Sequence, residues 1–234
     1  MKKRTSFPRF FTAAAMILSI LAGALLVSCA GNKKEPVVPP MRMAEYPADS
    51  SLGNVPGTVQ EAIERSDAVA MVRVGDWLGE TTDKLTTLFN AEVIETIKGE
   101  LPAKFTLLQG GSSEFTYRDY PLFTYGNELF LFLTKISDEN REFLKLPENT
   151  YKITGTYTSV MHLIELDGEK YVIPRDYALL ENMPESVKNL AKDEAFLKRA
   201  VDELKRSDSI LSKVNIAYAH VYKLDELVSM VKAG

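Results

Sequence analysis

The chain has 234 residues, 45% hydrophobic and 26% charged, the balance of an ordinary globular protein long enough to build a core without disulfides. A net charge of −4, from 28 basic and 32 acidic residues, disfavours nucleic acid and other polyphosphates as partners, because these call for a basic face. Cys29 is the one cysteine, which excludes disulfides within the chain and thiolate metal sites.

In chain order, Lys2, Lys3, Arg4 and Arg9 precede an almost unbroken apolar stretch from Phe10 to Val27, the layout of an export signal. Roughly 17–25 apolar residues also suffice to span a bilayer, so the end of the stretch decides. It closes Leu26-Val27-Ser28-Cys29, which resembles the lipobox of bacterial prolipoproteins. The resemblance implies diacylglycerol transfer to the Cys29 thiol, cleavage between Ser28 and Cys29, and acylation of the new amino group by a palmitate-type chain. The mature protein is then expected to be extracytoplasmic and held to the membrane by its acyl chains. Lys3-Arg4 is not a pair of arginines, so twin-arginine export is not expected. Ala30 lacks the aspartate that this family uses as an inner-membrane retention mark, so the resemblance implies sorting to the outer membrane in a cell that has one.

Residues 1–28 are therefore read as signal peptide and 29–56 as lipidated cysteine and flexible tether, with Pro36, Pro39, Pro40 and Pro47 and little apolar periodicity. At ~3.1 Å per residue such a tether reaches roughly 80 Å. Thr58 and Glu61 stand in capping-box spacing ahead of a brief apolar stripe, Val59, Ala62 and Ile63, which predicts a short helix. Ala68 to Leu78 is too β-branched to prefer helix and predicts a first strand. Phe89, Ala91, Val93 and Ile97 alternate with polar residues in a second, and Lys104 to Gln109 repeats the pattern with Phe105 and Leu107 inward. Glu128 to Thr134 is apolar on both faces, so it is expected to be central. Further strands are predicted at Tyr151–Tyr157, Ser159–Leu166 and Glu169–Ile173, with Asp167-Gly168 as a two-residue hairpin turn. From Ser186 the period changes to that of an amphipathic helix with Val187, Leu190, Ala191, Leu197, Val201 and Leu204 on one face. Ile210–Tyr222 is ambiguous and leans to strand; Leu224 to Val231 suggests a last short helix.

This order predicts a mainly β fold with C-terminal helices (α+β): a small OB-like barrel or strongly curled antiparallel sheet over 57–180, and a helical extension packed on it over 181–234. The run FNAEVIETIKGELPAKFTLLQGG with YGNELFLFL resembles a pattern in bacterial surface proteins and, more distantly, the netrin and tissue-inhibitor module, which is an OB-type barrel. The resemblance covers roughly Ala68 to Thr134. Tissue inhibitors act through a free N-terminal cysteine, whereas Cys29 is expected to be acylated, so that mechanism does not carry over.

His162 and His220 stand in no HExxH or His-x-His arrangement and are read as structural rather than metal-binding or catalytic. Gly110-Gly111-Ser112-Ser113 lacks the lysine of a phosphate loop and is read as a wide turn. Asp138-Glu139 and Asp225-Glu226 are read as solvated turn and helix-start acids. One segment stands apart: Phe115, Tyr117, Tyr120, Phe123 and Tyr125 crowd a single loop, where rings either present a ligand or partner surface or fold back over the barrel end. The function expected is a lipid-anchored, non-catalytic binding or assembly domain of the cell envelope, with no cofactor or metal, partnered by the membrane and by an envelope protein or glycan. The alternatives are an envelope hydrolase and a protease inhibitor or chaperone-like module.

Overall fold

The computed structural model describes residues 34–43, 55–117, 120–175, 183–184, 186–213 and 218–234. The chain orders first where Thr58 accepts the Glu61 N–H on its hydroxyl (3.0 Å), capping helix α1, Val59–Glu64. Glu61 reaches back to the Gly57 N–H (2.7 Å) and across to Arg65 (3.0 Å), so both ends of this short helix are tied.

Five strands then close on themselves: β1 (Ala68–Glu80), β2 (Thr86–Lys98), β3 (Lys104–Gly110), β4 (Glu128–Lys135) and β5 (Thr150–Ile153). β1 pairs antiparallel with β2 and β4, β2 with β3, and β4 with β5. The ring is completed by a parallel pairing of β3 with β5, from Thr106↔Thr150 to Leu108↔Lys152. The result is a small OB-like barrel, and closure leaves its strands no free edge to template aggregation.

Side-chain parity explains why β1 and β4 are apolar on both faces. Ala70, Val72 and Val74 of β1 and Leu129, Leu131 and Leu133 of β4 fill the barrel with Phe89, Phe105 and Leu107. Val69, Met71, Phe130 and Phe132 point the other way, into an outer core shared with α1. The register of β1 on β2 slips between Met71↔Glu95 and Val72↔Val93. A slip of one residue swaps faces, so Ile97 joins the outer core while Phe89, Ala91 and Val93 stay on the barrel side. After β2 the chain turns hard against β1, and a Cβ on Gly99 (φ +73°) would collide with the carbonyl oxygen of Asp67.

β4 has one edge left for two strands. β5 takes Leu133–Lys135 and β6 (Met161–Leu166) takes Leu129 and Phe130, so β6 leaves the barrel and extends the same sheet through β7 (Glu169–Pro174) and β8 (Tyr222–Lys223). The hairpin between β6 and β7 turns at Asp167 (φ 54°) and Gly168 (φ 81°), the left-handed pair that a type I′ turn needs. Helix α2 (Asp138–Phe143) lies in the β4–β5 loop, α3 (Glu194–Ser207) covers the β6–β7 extension, and α4 (Leu224–Ala233) completes the outer core.

Four expectations change. The strand foreseen to Tyr157 stops at Ile153, because Gly155 (φ 79°) and Thr156 (φ 57°) turn the chain into a 3-10 turn at Thr156–Ser159. The helix foreseen from Ser186 begins at Glu194, where Asp193 accepts the N–H groups of Ala195 (3.0 Å) and Phe196 (3.1 Å); Val187 drops instead into the outer core. Ser209–Ser212 is a 3-10 turn rather than strand, and among the described residues of this segment Tyr222–Lys223 pairs with β7; Val214 and Ile216 lie outside the described residues. Part of the foreseen tether is fixed: Val37 donates to Asp76 Oδ1 (2.9 Å) and accepts from Trp77 N–H (2.8 Å), and Arg42 and Leu122 exchange backbone and side-chain bonds (both 2.7 Å).

Candidate functional site

Ser28 and Cys29 lie outside the described residues. The five rings of the aromatic loop divide three ways. Phe123 is fully buried, its ring centroid 6.1 Å from Phe89, and with Leu122 it fills the barrel end. Gln109 clamps it there, accepting the Phe123 N–H (2.7 Å) and donating to the Pro121 carbonyl (3.1 Å). Phe115, Tyr117 and Tyr120 are half-buried in a stack with Tyr157, at centroid distances of 5.2 Å (Phe115–Tyr117), 5.3 Å (Tyr117–Tyr157) and 4.0 Å (Tyr120–Tyr157). Tyr157 carries no local signal for this role, since its sequence pattern is that of a strand; the 3-10 turn at Thr156–Ser159 brings it to the loop. Tyr125 alone of the five is exposed, at 51%.

Behind the stack lies a buried charged cluster whose members are far apart in sequence. Arg42 binds both carboxylate oxygens of Asp208 (2.6 Å each), and Asn127 Nδ2 donates to the same carboxylate (3.2 Å). Burial alone would raise the Asp208 pKa, but the hydrogen bonds and charge of Arg42 overcome it and hold the group below its ordinary value. Arg175 Nε–H donates to His162 Nε2 (2.9 Å), which requires a neutral imidazole with its proton on Nδ1. Burial, and then the Arg175 charge, push the His162 pKa well below its usual value. Burial also pulls Arg175 down to about 10, still protonated at neutral pH. The guanidinium is further held by the Pro121 carbonyl (3.5 Å) and by the rings of Tyr120 (5.4 Å) and Phe123 (5.7 Å). Its Nη2 and the nearby Tyr218 hydroxyl, pushed up to about 12 by burial, have no hydrogen-bond partner among the described residues.

Chemically this cluster is a brace. The lone pair by which His162 would act as a base is occupied by Arg175, and Asp208 is bound on both oxygens. His220 is likewise engaged, its Nδ1 near Asn189 (3.0 Å) and Tyr222 Oη (2.9 Å), with burial lowering its pKa. Ser112 Oγ accepts from Phe115 N–H (3.1 Å), so the glycine-serine run is a turn. Asp138, Glu139, Asp225 and Glu226 sit in first helical turns. Among the described residues no three His, Cys, Asp or Glu side chains are grouped to hold a metal ion, and no helix is long and apolar enough to cross a membrane.

Two cavities adjoin these features. One of about 370 Å³ is bordered by Asn127, Glu128, His162, Glu165, Lys170 and Glu203, so it reaches the edge of the charged cluster. The other, about 220 Å³, lies on the outside of the barrel between Arg73, Asp76, Asn90, Glu92, Lys104 and Tyr125. Compared with models of known protein families, with curated proteins and with solved structures, the chain matches none.

Proposed function

We propose that this protein is an extracytoplasmic lipoprotein, anchored by acyl chains on Cys29, whose OB-like barrel is a non-catalytic binding module of the cell envelope. The observation that carries the binding half is the filled barrel: Phe89, Leu107, Phe123, Leu129 and Leu131 occupy its interior, so a ligand must be met on the outer surface. The engagement of His162 and Asp208 by Arg175 and Arg42 supports a non-catalytic reading, since neither is free to exchange a proton. The anchoring half rests on the lipobox Leu26-Val27-Ser28-Cys29 and its basic, apolar leader.

The second reading, an envelope hydrolase, draws on the cavity beside His162 with its acids Glu128, Glu165 and Glu203. Against it, Arg73 binds Glu128 (2.6 Å) as Arg175 binds His162. The test is fractionation of bacteria expressing the full chain. Wild type should pellet with membranes, resist extraction by salt and carbonate, and dissolve in detergent, whereas Cys29→Ala should remain uncleaved. Wild type recovered in a soluble fraction would overturn the anchoring half.

A further inference from the structure

The outer groove at Tyr125 has the chemistry of a sugar site, and we infer that it binds one ring of a neutral saccharide. This rests on the envelope-binding reading and names its ligand class. Tyr125 is exposed, yet its backbone is fixed. Thr124 N–H donates to Asn127 Oδ1 (3.0 Å), Gly126 N–H to the Val74 carbonyl (2.8 Å), and Val74 N–H to the Asn127 carbonyl (2.9 Å). The turn that presents the ring is therefore tied on both sides to β1, and ordering it costs a ligand little entropy.

Opposite the ring, polar groups converge from three strands. Asn90 on β2 carries an exposed amide that offers a donor and an acceptor. Asp76 on β1 uses Oδ1 to accept from Val37 and has Oδ2 left for a hydroxyl. Gly75 forms the floor, where a Cβ would press on Asn90 at 3.2 Å, so the absence of a side chain keeps the groove open. The lining charges cancel, Arg73 and Lys104 against Asp76 and Glu92, and each cation is already held by an acid: Arg73 by Glu128 (2.6 Å) and Lys104 by Glu92 (2.6 Å).

An anionic ligand gains little from such a surface, because both cations are already paired with acids. A polyol with one apolar face gains twice, from C–H contact with the tyrosine ring and from paired hydrogen bonds to amide and carboxylate. The volume of about 220 Å³ is below the roughly 300 Å³ at which drug-sized pockets begin. The groove is thus sized for a single ring of a longer chain, which would continue over the exposed face of β2.

The test is calorimetric titration of the detergent-solubilised full chain with the trimer of N-acetylglucosamine, with maltotriose and with cellotriose, and with a polyanion, heparin, for comparison. At least one neutral trimer should bind, with an affinity insensitive to salt. Tyr125→Ala and Asn90→Ala should each weaken it roughly tenfold, about 1.4 kcal/mol, with melting temperatures nearly unchanged because both residues are exposed. Binding of heparin alone, lost at high salt, would overturn the inference, as would trimer binding that survives both substitutions or no binding by any trimer. These outcomes leave the anchoring test untouched, and an envelope protein cross-linked at position 125 would keep the binding module while overturning its saccharide ligand.

Discussion

Mild acid should loosen this protein through His162. The side chain is 2% exposed and neutral, its Nε2 accepts from Arg175, and its pKa is held well below 6.5 by burial and the neighbouring charge. In the unfolded chain an imidazole titrates near 6.5. The unfolded state therefore binds a proton that the folded state refuses, and stability present above about pH 6.5 falls as the pH drops below it. While the folded pKa stays below the working pH, the loss is RT ln(1 + 10^(6.5 − pH)), about 1.4 kcal/mol at pH 5.5 and about 2 kcal/mol at pH 5. For a chain of this size 1.4 kcal/mol is roughly 3–6 °C of melting temperature. His220, also lowered by burial, acts in the same direction, and carboxylates held down in the fold, such as Asp208, add their loss at lower pH. His162→Gln isolates the effect, since its amide oxygen can accept from Arg175 without titrating. Thermal melts of both proteins from pH 7.5 to 5 should show the wild type losing this increment and the variant losing less by the same amount. Parallel melting curves against pH would refute the reasoning.

Other consequences can be read by urea unfolding. Arg42→Met leaves the Asp208 carboxylate buried and unpaired and should cost about 3–5 kcal/mol, and adding Asp208→Asn should cost less than the sum of the two. Gly99→Ala, placed at positive φ and against the Asp67 carbonyl, should cost about 2 kcal/mol or more. Phe123→Ala should lose about 3–5 kcal/mol, whereas Tyr125→Ala on the same loop should stay within about 0.5 kcal/mol of wild type. Equal losses at positions 123 and 125 would show that the loop is not divided between core and surface.

What local pattern can specify, the sequence displayed. Asp167-Gly168 marked its hairpin because only a few residues accept two successive left-handed conformations. The doubly apolar run Glu128–Thr134 marked the strand that divides barrel from outer core. Where a local signal was weak, tertiary context decided: Ser186 could cap a helix, but Val187 is needed in the outer core, so the helix waits for Asp193. The parallel β3–β5 pairing that closes the barrel was not legible, since it depends on which strands meet and not on their periods. Nor was the site. Arg42 and Asp208 are 166 residues apart, and the groove draws Asp76, Asn90, Lys104 and Tyr125 from three strands and a loop. The aromatic loop was visible as a composition, but its division into core, stack and exposed ring follows from the clamp of Gln109 and the position of Tyr157.

The central claim is anchoring at Cys29, and the mass of the N-terminal peptide of protein recovered from bacterial membranes tests it most directly. The expected peptide begins at Cys29, carries a diacylglyceryl thioether and an amide-linked acyl chain, and is missing from the Cys29→Ala protein. A wild-type chain that retains residues 1–28, or that begins at an unmodified residue, would contradict the account.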